Sequence, residues 1–372
     1  MKAEKRRPGQ SQLEIDQDSV LLRAYGEGTD VLIDRERKFC LVPHRIILSD
    51  CYMLYAGEIQ AHSLLASRRH APPLFARFNN GLLYKFTSGD VCTPQDIRTP
   101  AVYRSIAEKL GSWHGALSIS TISDANDLEA PGTDGVNGTH HARKRPEPNL
   151  WSIMQSWIDA LPRATEKEMD RIKEIQTDYN DLIAKLADSP GLDGKDYVFS
   201  HCDLLSGNVI VLQPESSTNG HCGKCSTPKI SFIDYEYASP APAAFDIANH
   251  FAEWVGFECD YNNMPTRSQR HEFLTSYVRA FKAETHKNAS NEELKHAADE
   301  IFAQVDMYRG VPGFYWGIWA LIQAQISQIE FDYASYAEAR FGEYKAWKAE
   351  YDGSRKRENR DMPLREKKWA EE

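Results

Sequence analysis

The chain lacks an apolar run long enough to cross a bilayer. A spanning helix needs roughly 20 consecutive apolar residues, and the best stretch here, residues 314–322, is short and rich in tryptophan. Basic residues open the sequence (MKAEKRRPGQ) with no apolar segment behind them, so no signal peptide is expected. Positive charge is in deficit. There are 44 Lys and Arg against 54 Asp and Glu, a formal net charge of −10. That balance argues against a nucleic-acid partner and suits a cationic substrate. Seven cysteines, irregularly spaced, fit a reduced cytoplasmic protein rather than a disulfide framework. Cys222 and Cys225 form a C-x-x-C beside His221 in the Gly/Ser-rich loop 216–228. No second ligand pair lies at zinc-finger distance, so a metal site is not expected there.

What the chain does have is a pair of polar-tipped apolar segments. Residues 198–212 read VFSHCDLLSGNVIVL and residues 230–238 read ISFIDYEYA. Each begins as a short β-branched run of the kind that forms a buried strand. His201, Asp203 and Asn208 interrupt the first in the spacing H-x-D-x-x-x-x-N, and Asp234 and Glu236 end the second. Together they give hard oxygen ligands plus one base. Phosphoryl transfer needs such a set, because Mg²⁺ takes oxygens and the attacking hydroxyl needs a proton acceptor. Taken singly, Asp203 and Asn208 also suit a turn between strands.

Around that centre the chain reads as an α+β protein of two lobes. Residues 20–25 and 30–34 form a hairpin about Gly26-Glu27-Gly28-Thr29, with Arg23 placed mid-strand. Residues 58–67 are helix-like, and a second hairpin joins 74–78 to 82–86 through Asn79-Asn80-Gly81. These make a small β-rich lobe, residues 1–96, with a linker near 87–96. A helical lobe, residues 97–351, follows. Thr99-Pro100 opens its first helix, with Val102, Ile106, Leu110, Trp113 and Leu117 on the buried face. Residues 124–148 read as a loop, 151–161 as a short helix, and 166–187 as an amphipathic one with Met169 on its apolar stripe. Residues 245–254 are apolar enough for a buried helix carrying Asp246, Asn249, His250 and Glu253. Thr266 and Ser290 begin capping boxes. Pro312-Gly313 should break the second of those helices before another over 314–329, and 336–351 forms a last helix. The mixed-charge residues 352–372 are expected to be a disordered tail.

A β-rich lobe followed by a helical lobe holding HCDLLSGN and IDYEYA resembles the protein-kinase-like fold. More narrowly, the chain resembles the choline/ethanolamine kinase family, nearest its fungal ethanolamine-directed members. The resemblance runs over residues 15–348 and rests on HCDLLSGN, FIDYEYASPAPAAFDIANHFAEW and WGIWALIQAQISQIEFDYASYAEARF. It implies an ATP:ethanolamine phosphotransferase that uses Mg²⁺ and makes phosphoethanolamine, the first step of the CDP-ethanolamine route to phosphatidylethanolamine. Choline is the alternative substrate. Oligomeric state stays open, a homodimer included.

The resemblance further implies that Asp203 orients and deprotonates the hydroxyl while His201 fixes the loop. Asn208 and Asp234 would hold Mg²⁺ with help from Glu236, and Arg23 and Glu58 would pair over the nucleotide. Glu253, Tyr237, Trp316, Trp319 and Tyr336 match the family's pocket for the cationic end. A primary ammonium has three N–H donors wanting acceptors, whereas a quaternary one prefers aromatic rings. Glu258, Asp260 and Asp332, near the matched positions, tilt the reading toward ethanolamine.

Two departures from the family pattern stand out. The family's Gly-Gly-x-Thr-Asn loop, which covers the ATP phosphates, has no counterpart before Val20. This leaves a second alternative, a pseudokinase-like nucleotide- or amine-binding protein with weak or no activity. Residues 37–57, RKFCLVPHRIILSDCYMLYAG, interrupt a connection that is direct in the family. As a hypothesis, this apolar insert is a translated retained intron, since Arg-Lys-Phe, Ser-Asp and Tyr-Ala-Gly can encode donor, branch and acceptor signals. A lineage-specific loop is the other reading. Transcripts that mostly keep the segment would rule out the intron.

Overall fold

The structure is a computed structural model. It describes residues 2–3, 10–24, 57–78, 81–117, 119, 145–213, 227–286 and 288–372. The expected strand 30–34, all but the last residue of the insert 37–57, most of the loop 124–148 and the His221–Cys225 motif lie outside the described residues.

The first sheet grows from the second hairpin read in the sequence. Strands β3 (Leu74–Phe78) and β4 (Gly81–Lys85) pair antiparallel, with a bulge between Leu74 and Ala76. Strand β2 (Val20–Ala24) lies on the other side of β4, with Arg23 opposite Leu82, and β1 (Lys2–Ala3) closes the order β1-β2-β4-β3. Helix α1 (Gln12–Asp18) starts at a Ser11 capping box with Glu14. The sequence reading missed it. Helix α2 (Gly57–Ser67) packs on β3 and buries Ala61 and Leu65.

The expected linker holds a strand. β5 (Gly89–Val91) hydrogen-bonds to β7 (Val209–Leu212), which pairs with β8 (Ile230–Phe232). The run 198–212 therefore holds two strands. Its first part, β6 (Val198–Ser200), pairs instead with β9 (Ser239–Ala241), and the polar residues lie in the loop between β6 and β7.

The helical part packs on these small sheets. Helix α3 (Pro100–Ala116) buries Ile106, Leu110 and Trp113 as its periodicity requires. It approaches α7 (Arg267–Thr285) so closely that a Cβ on Gly111 would sit 2.2 Å from the Tyr277 carbonyl oxygen. Helix α4 (Leu150–Ala160) is capped by Asn149, and α5 (Glu166–Leu186) by a Thr165 capping box. Met169 is 44 % exposed, so it leaves the apolar stripe of α5 at the first turn. All ten residues of α6 (Ala243–Ala252) are buried, confirming the apolar reading of that stretch. Both capping boxes form, at Thr266 for α7 and at Ser290 for α8 (Asn291–Tyr308). Pro312 sits in the first turn of α9 (Val311–Ile326), where a missing N–H is tolerated, so Pro312-Gly313 opens that helix rather than preceding it. Helix α10 is Tyr333–Tyr351.

The expected disordered tail is instead ordered and packed. Helices α11 (Ser354–Arg357) and α12 (Leu364–Trp369) continue the chain, and Trp369 is buried. Its ring lies 3.9 Å beneath the Arg270 guanidinium and its Nε1 donates to Asp306 at 2.5 Å. Arg309 pairs with the buried Glu366 at 2.9 Å. Charge density suggested disorder, but one tryptophan with cationic and acidic partners docks the segment. Trp369→Ala should cost about 3–5 kcal/mol of stability, read by urea unfolding. A cost below about 1 kcal/mol would mean that the segment is not docked in solution.

Candidate functional site

The loop between β6 and β7 is held from below by one helix. Asp246 of α6 accepts the backbone N–H of His201 on Oδ2 at 2.9 Å and that of Cys202 on Oδ1 at 2.8 Å. One turn on, Asn249 Nδ2 donates to the Cys202 carbonyl and His250 Nδ1 to the Leu204 carbonyl, each at 2.8 Å. Positions i, i+3 and i+4 share a helix face, so D-x-x-N-H inside an apolar run was the available signal for this cradle. The sequence reading named these residues without giving them the task. Cys202 adopts φ +62°, a left-handed conformation that a β-carbon disfavours and that these clamps maintain.

Asp246 is fully buried, which pushes its carboxyl up. The hydrogen bond and charge of His114, 3.0 Å away, and the groups of His201 outweigh that and hold it below its ordinary range. His114 Nδ1 in turn lies at hydrogen-bond distance, 2.9 Å, from the Tyr277 hydroxyl. His250 is driven down to about 4 by burial, hence neutral, and its Nε2 accepts from Trp254 Nε1 at 3.3 Å. His201 is also held neutral by burial, with Nε2 donating to the Ile233 carbonyl at 3.0 Å and its ring packed against Trp113. It sits in the core, away from the cavity.

Asp203 stands at the head of the loop, 7 % exposed. Asn208 Nδ2 donates to its backbone oxygen at 2.8 Å and to its Oδ2 at 3.1 Å, leaving Oδ1 as the ligand end of the amide. Burial first, then the charges of Glu253, Asp234 and Glu236, push the Asp203 carboxyl well up. Asp234, at φ +65°, and Glu236 follow β8, and the Arg23 guanidinium bridges them, 2.5 Å from Asp234 and in closer contact with Glu236. The cation thus shows that both carboxylates converge on positive charge. Among the described residues no three His, Cys, Asp or Glu side chains cluster as a metal site. Magnesium does not require one, since it binds through one or two carboxylates plus phosphates and water. Asn208, Asp234 and Glu236 fit that pattern. Glu58 lies in α2, but its side chain is outside the described residues, so the expected Arg23–Glu58 pair is not among the described contacts.

Beside Asp203 opens a cavity of about 130 Å³ lined by Asp203, Leu205, Glu236, Tyr237, Glu253, Phe257, Trp316, Trp319 and Tyr336. It is well below the ~300 Å³ of drug-sized pockets and suits a very small ligand. All five residues matched to the cationic end are here. Trp316 and Trp319, one turn apart on α9, meet edge to face at 5.4 Å. Trp316 Nε1 donates to Asn249 Oδ1 and Trp319 Nε1 to the Tyr237 hydroxyl, each at 2.8 Å. Phe257 was missed by the sequence reading. The acids Glu258, Asp260 and Asp332 do not line the cavity. Asp260 caps a short turn by accepting from Asn262 N, and Asp332 caps α10 by accepting from Ser335 N, which corrects their use as amine acceptors. A wider cleft of about 1110 Å³ is lined by Arg104, Arg267, Glu272 and their neighbours, and no buried carboxylate faces it.

The family profile described as "Choline/ethanolamine kinase" matches residues 44–345. Ethanolamine kinase 2 of Rattus norvegicus is 32 % identical over 334 residues, covering 88 % of this chain and 69 % of its own length. A probable ethanolamine kinase of Arabidopsis thaliana is 30 % identical, covering 89 % of this chain and 72 % of its own. Among solved structures, a Plasmodium vivax ethanolamine kinase superposes with a TM-score of 0.61 at 23 % identity, covering 88 % of this chain and 75 % of that one. The protein-kinase-like architecture expected from the sequence is thereby shown. Among the described residues no helix is long and apolar enough to cross a membrane.

Asp246→Asn should destabilise the fold by about 3–5 kcal/mol at neutral pH, as loss of a buried hydrogen-bonded charge does. Because its carboxyl is depressed, this contribution is full above about pH 4 and fades as pH falls through the folded value. Urea unfolding at pH 7 and pH 3 should show the wild-type advantage at the first and a smaller one at the second. An equal advantage at both would contradict the ionised carboxylate.

Proposed function

The chain belongs to the choline/ethanolamine kinase family, and from that premise we propose that it transfers the γ-phosphoryl group of ATP to the hydroxyl of ethanolamine, giving ADP and phosphoethanolamine. One observation carries this reading: a single small cavity is lined by the buried Asp203 together with Glu253 and a set of aromatic rings. A short amino alcohol fits that layout, with its hydroxyl at Asp203 and its ammonium at Glu253.

Asp203, fixed by Asn208, orients the hydroxyl and takes its proton. A carboxyl raised by burial and like charges is a stronger base than a solvated one, which suits proton transfer near neutral pH. Asn208 and Asp234, with Glu236 assisting, would hold Mg²⁺, which neutralises charge on the phosphates when bound. Arg23 lies within reach of the same place to pair with phosphate oxygens, and Glu58 on α2 is assigned to it as partner. His201 holds the loop through its ring and does no chemistry. In this reading residues 1–96 and 97–351 are the nucleotide and substrate lobes, and 352–372 brace the second.

Glu253 gives a primary ammonium an ionic acceptor, which supports ethanolamine. The rings of Tyr237, Trp316, Trp319 and Tyr336 favour choline as the second reading, because a quaternary ammonium is held by aromatic faces. An ADP-release assay with both alcohols decides between them. Ethanolamine should show at least about tenfold higher kcat/KM, a difference of ~1.4 kcal/mol. Choline preferred would favour the second reading. Nucleotide binding without turnover of either would favour the binding protein. Asp203→Asn should lower kcat by about 10²–10⁴-fold, and an unchanged rate would remove it as base. Trp316→Ala should raise KM for the amine, and a loss confined to ATP affinity would contradict its placement.

A further inference from the structure

Behind Glu253, away from the cavity, lies a second charged group that the reaction does not use. Arg340 and Glu343 of α10 are 1 % and 2 % exposed. Arg340 Nη2 is 3.6 Å from Glu253 Oε1, and its Nη1 is 3.6 Å from Glu343 Oε1. Both separations exceed hydrogen-bond length. Arg340 Nε and Nη2 and both Glu343 oxygens have no hydrogen-bond partner. The Arg340 guanidinium also sits 5.7 Å from the ring centre of Tyr336, which lines the cavity.

Buried ionic groups are costly unless closely paired, and this trio is paired loosely. Helix packing keeps it in place. Gly313 of α9 lets α10 approach so closely that a Cβ there would be 2.5 Å from the Arg340 carbonyl oxygen and 3.0 Å from the Glu343 Cβ. The charges do not cancel. Two carboxylates and one guanidinium leave one net negative charge, and of the three only Glu253 faces the cavity. Against a bare Glu253, Arg340 alone would neutralise the wall that must attract a cation. Glu343 restores its sign.

Resting on the ethanolamine reading, we propose that Arg340 and Glu343 are a positioning pair for the amine subsite. Arg340 fixes the Glu253 carboxylate at the cavity wall, and Glu343 offsets the Arg340 charge so that the wall presents one net negative charge to a single ammonium. Burial raises the Glu253 carboxyl, Arg340 opposes this, and the charge of Glu343 adds to the rise. Neither residue touches the substrate, so neither is catalytic.

The clean variant is Glu343→Gln, which keeps shape and removes only charge. Its KM for ethanolamine should rise on the order of tenfold, as expected for a unit charge lost near a cation in a partly desolvated site. Its kcat and its KM for ATP should stay within about twofold. Quenching of the pocket tryptophans by ethanolamine, without nucleotide, should give the same shift in Kd. Arg340→Lys, which keeps the charge without the planar fork, should raise KM less than Arg340→Gln. If Glu343→Gln binds ethanolamine as tightly as wild type, the proposal is wrong. It is equally wrong if KM for ATP rises in parallel, which marks general loosening. The ethanolamine reading fails separately, when wild type neither turns over the amine nor is quenched by it, and the pairing falls with it.

Discussion

The site depends on one buried carboxylate. Asp246 takes two successive backbone N–H groups at the start of the β6–β7 loop and so imposes the left-handed turn at Cys202 that brings Asp203 to the cavity. Ionised acceptors form hydrogen bonds roughly twice as strong as neutral ones, and in a dry interior an unmade one is expensive. His114 keeps Asp246 charged there, and Tyr277 of α7 orients His114. A chain of four elements, α7, α3, α6 and the loop, thus converges on Asp203. The close packing at Gly111 serves the same chain, because α3 must lie on α7 for His114 to reach both partners.

The same helix organises more of the cavity's lining. Asn249 clamps the loop with its amide nitrogen and receives Trp316 with its oxygen, so one side chain ties the Asp203 loop to the aromatic wall. Glu253 follows at the end of α6, in the turn that leaves it. Asp246, which clamps the loop carrying Asp203, and Glu253 are therefore seven residues apart, on a helix whose ten residues are all buried and the turn that follows it. In the proposed reading one helix thereby places both subsites, by clamping the loop that carries Asp203 and by ending at Glu253, and a rigid element of this kind is a precise way to place reacting groups. Charge follows the same economy. Asp203, Asp234, Glu236 and Glu253 gather four acids, and Arg23 and Arg340 stand on either side of them. Fixed charges of this kind are what a loose phosphoryl transition state can use.

Much of this was legible in the chain because it is local. Short-range patterns such as the capping boxes at Thr266 and Ser290 and the apolar run of α6 leave an imprint within a few residues. The site residues were legible because HCDLLSGN and IDYEYA carry unusual chemistry in apolar settings. Long-range partnership was not. Nothing in the sequence says that Arg23 meets Asp234 more than two hundred residues later, or that Trp369 finds Arg270. The charged end of the chain read as disorder because composition averages over residues, while docking is decided by one ring and its pocket. Glu258, Asp260 and Asp332 show the opposite error: near in sequence to pocket residues, they were spent on caps and solvent. Nothing in the sequence singles out Arg340 and Glu343, and only packing reveals that they are buried.

In the proposed reading this constellation directs phosphoryl transfer to an amino alcohol rather than to water. Phosphorus NMR of the purified protein with Mg²⁺, ATP and ethanolamine tests it most directly. The expected result is a phosphomonoester signal of phosphoethanolamine growing in step with loss of the γ-phosphate and with little inorganic phosphate. Intact ATP, or ATP lost only to inorganic phosphate, would contradict it.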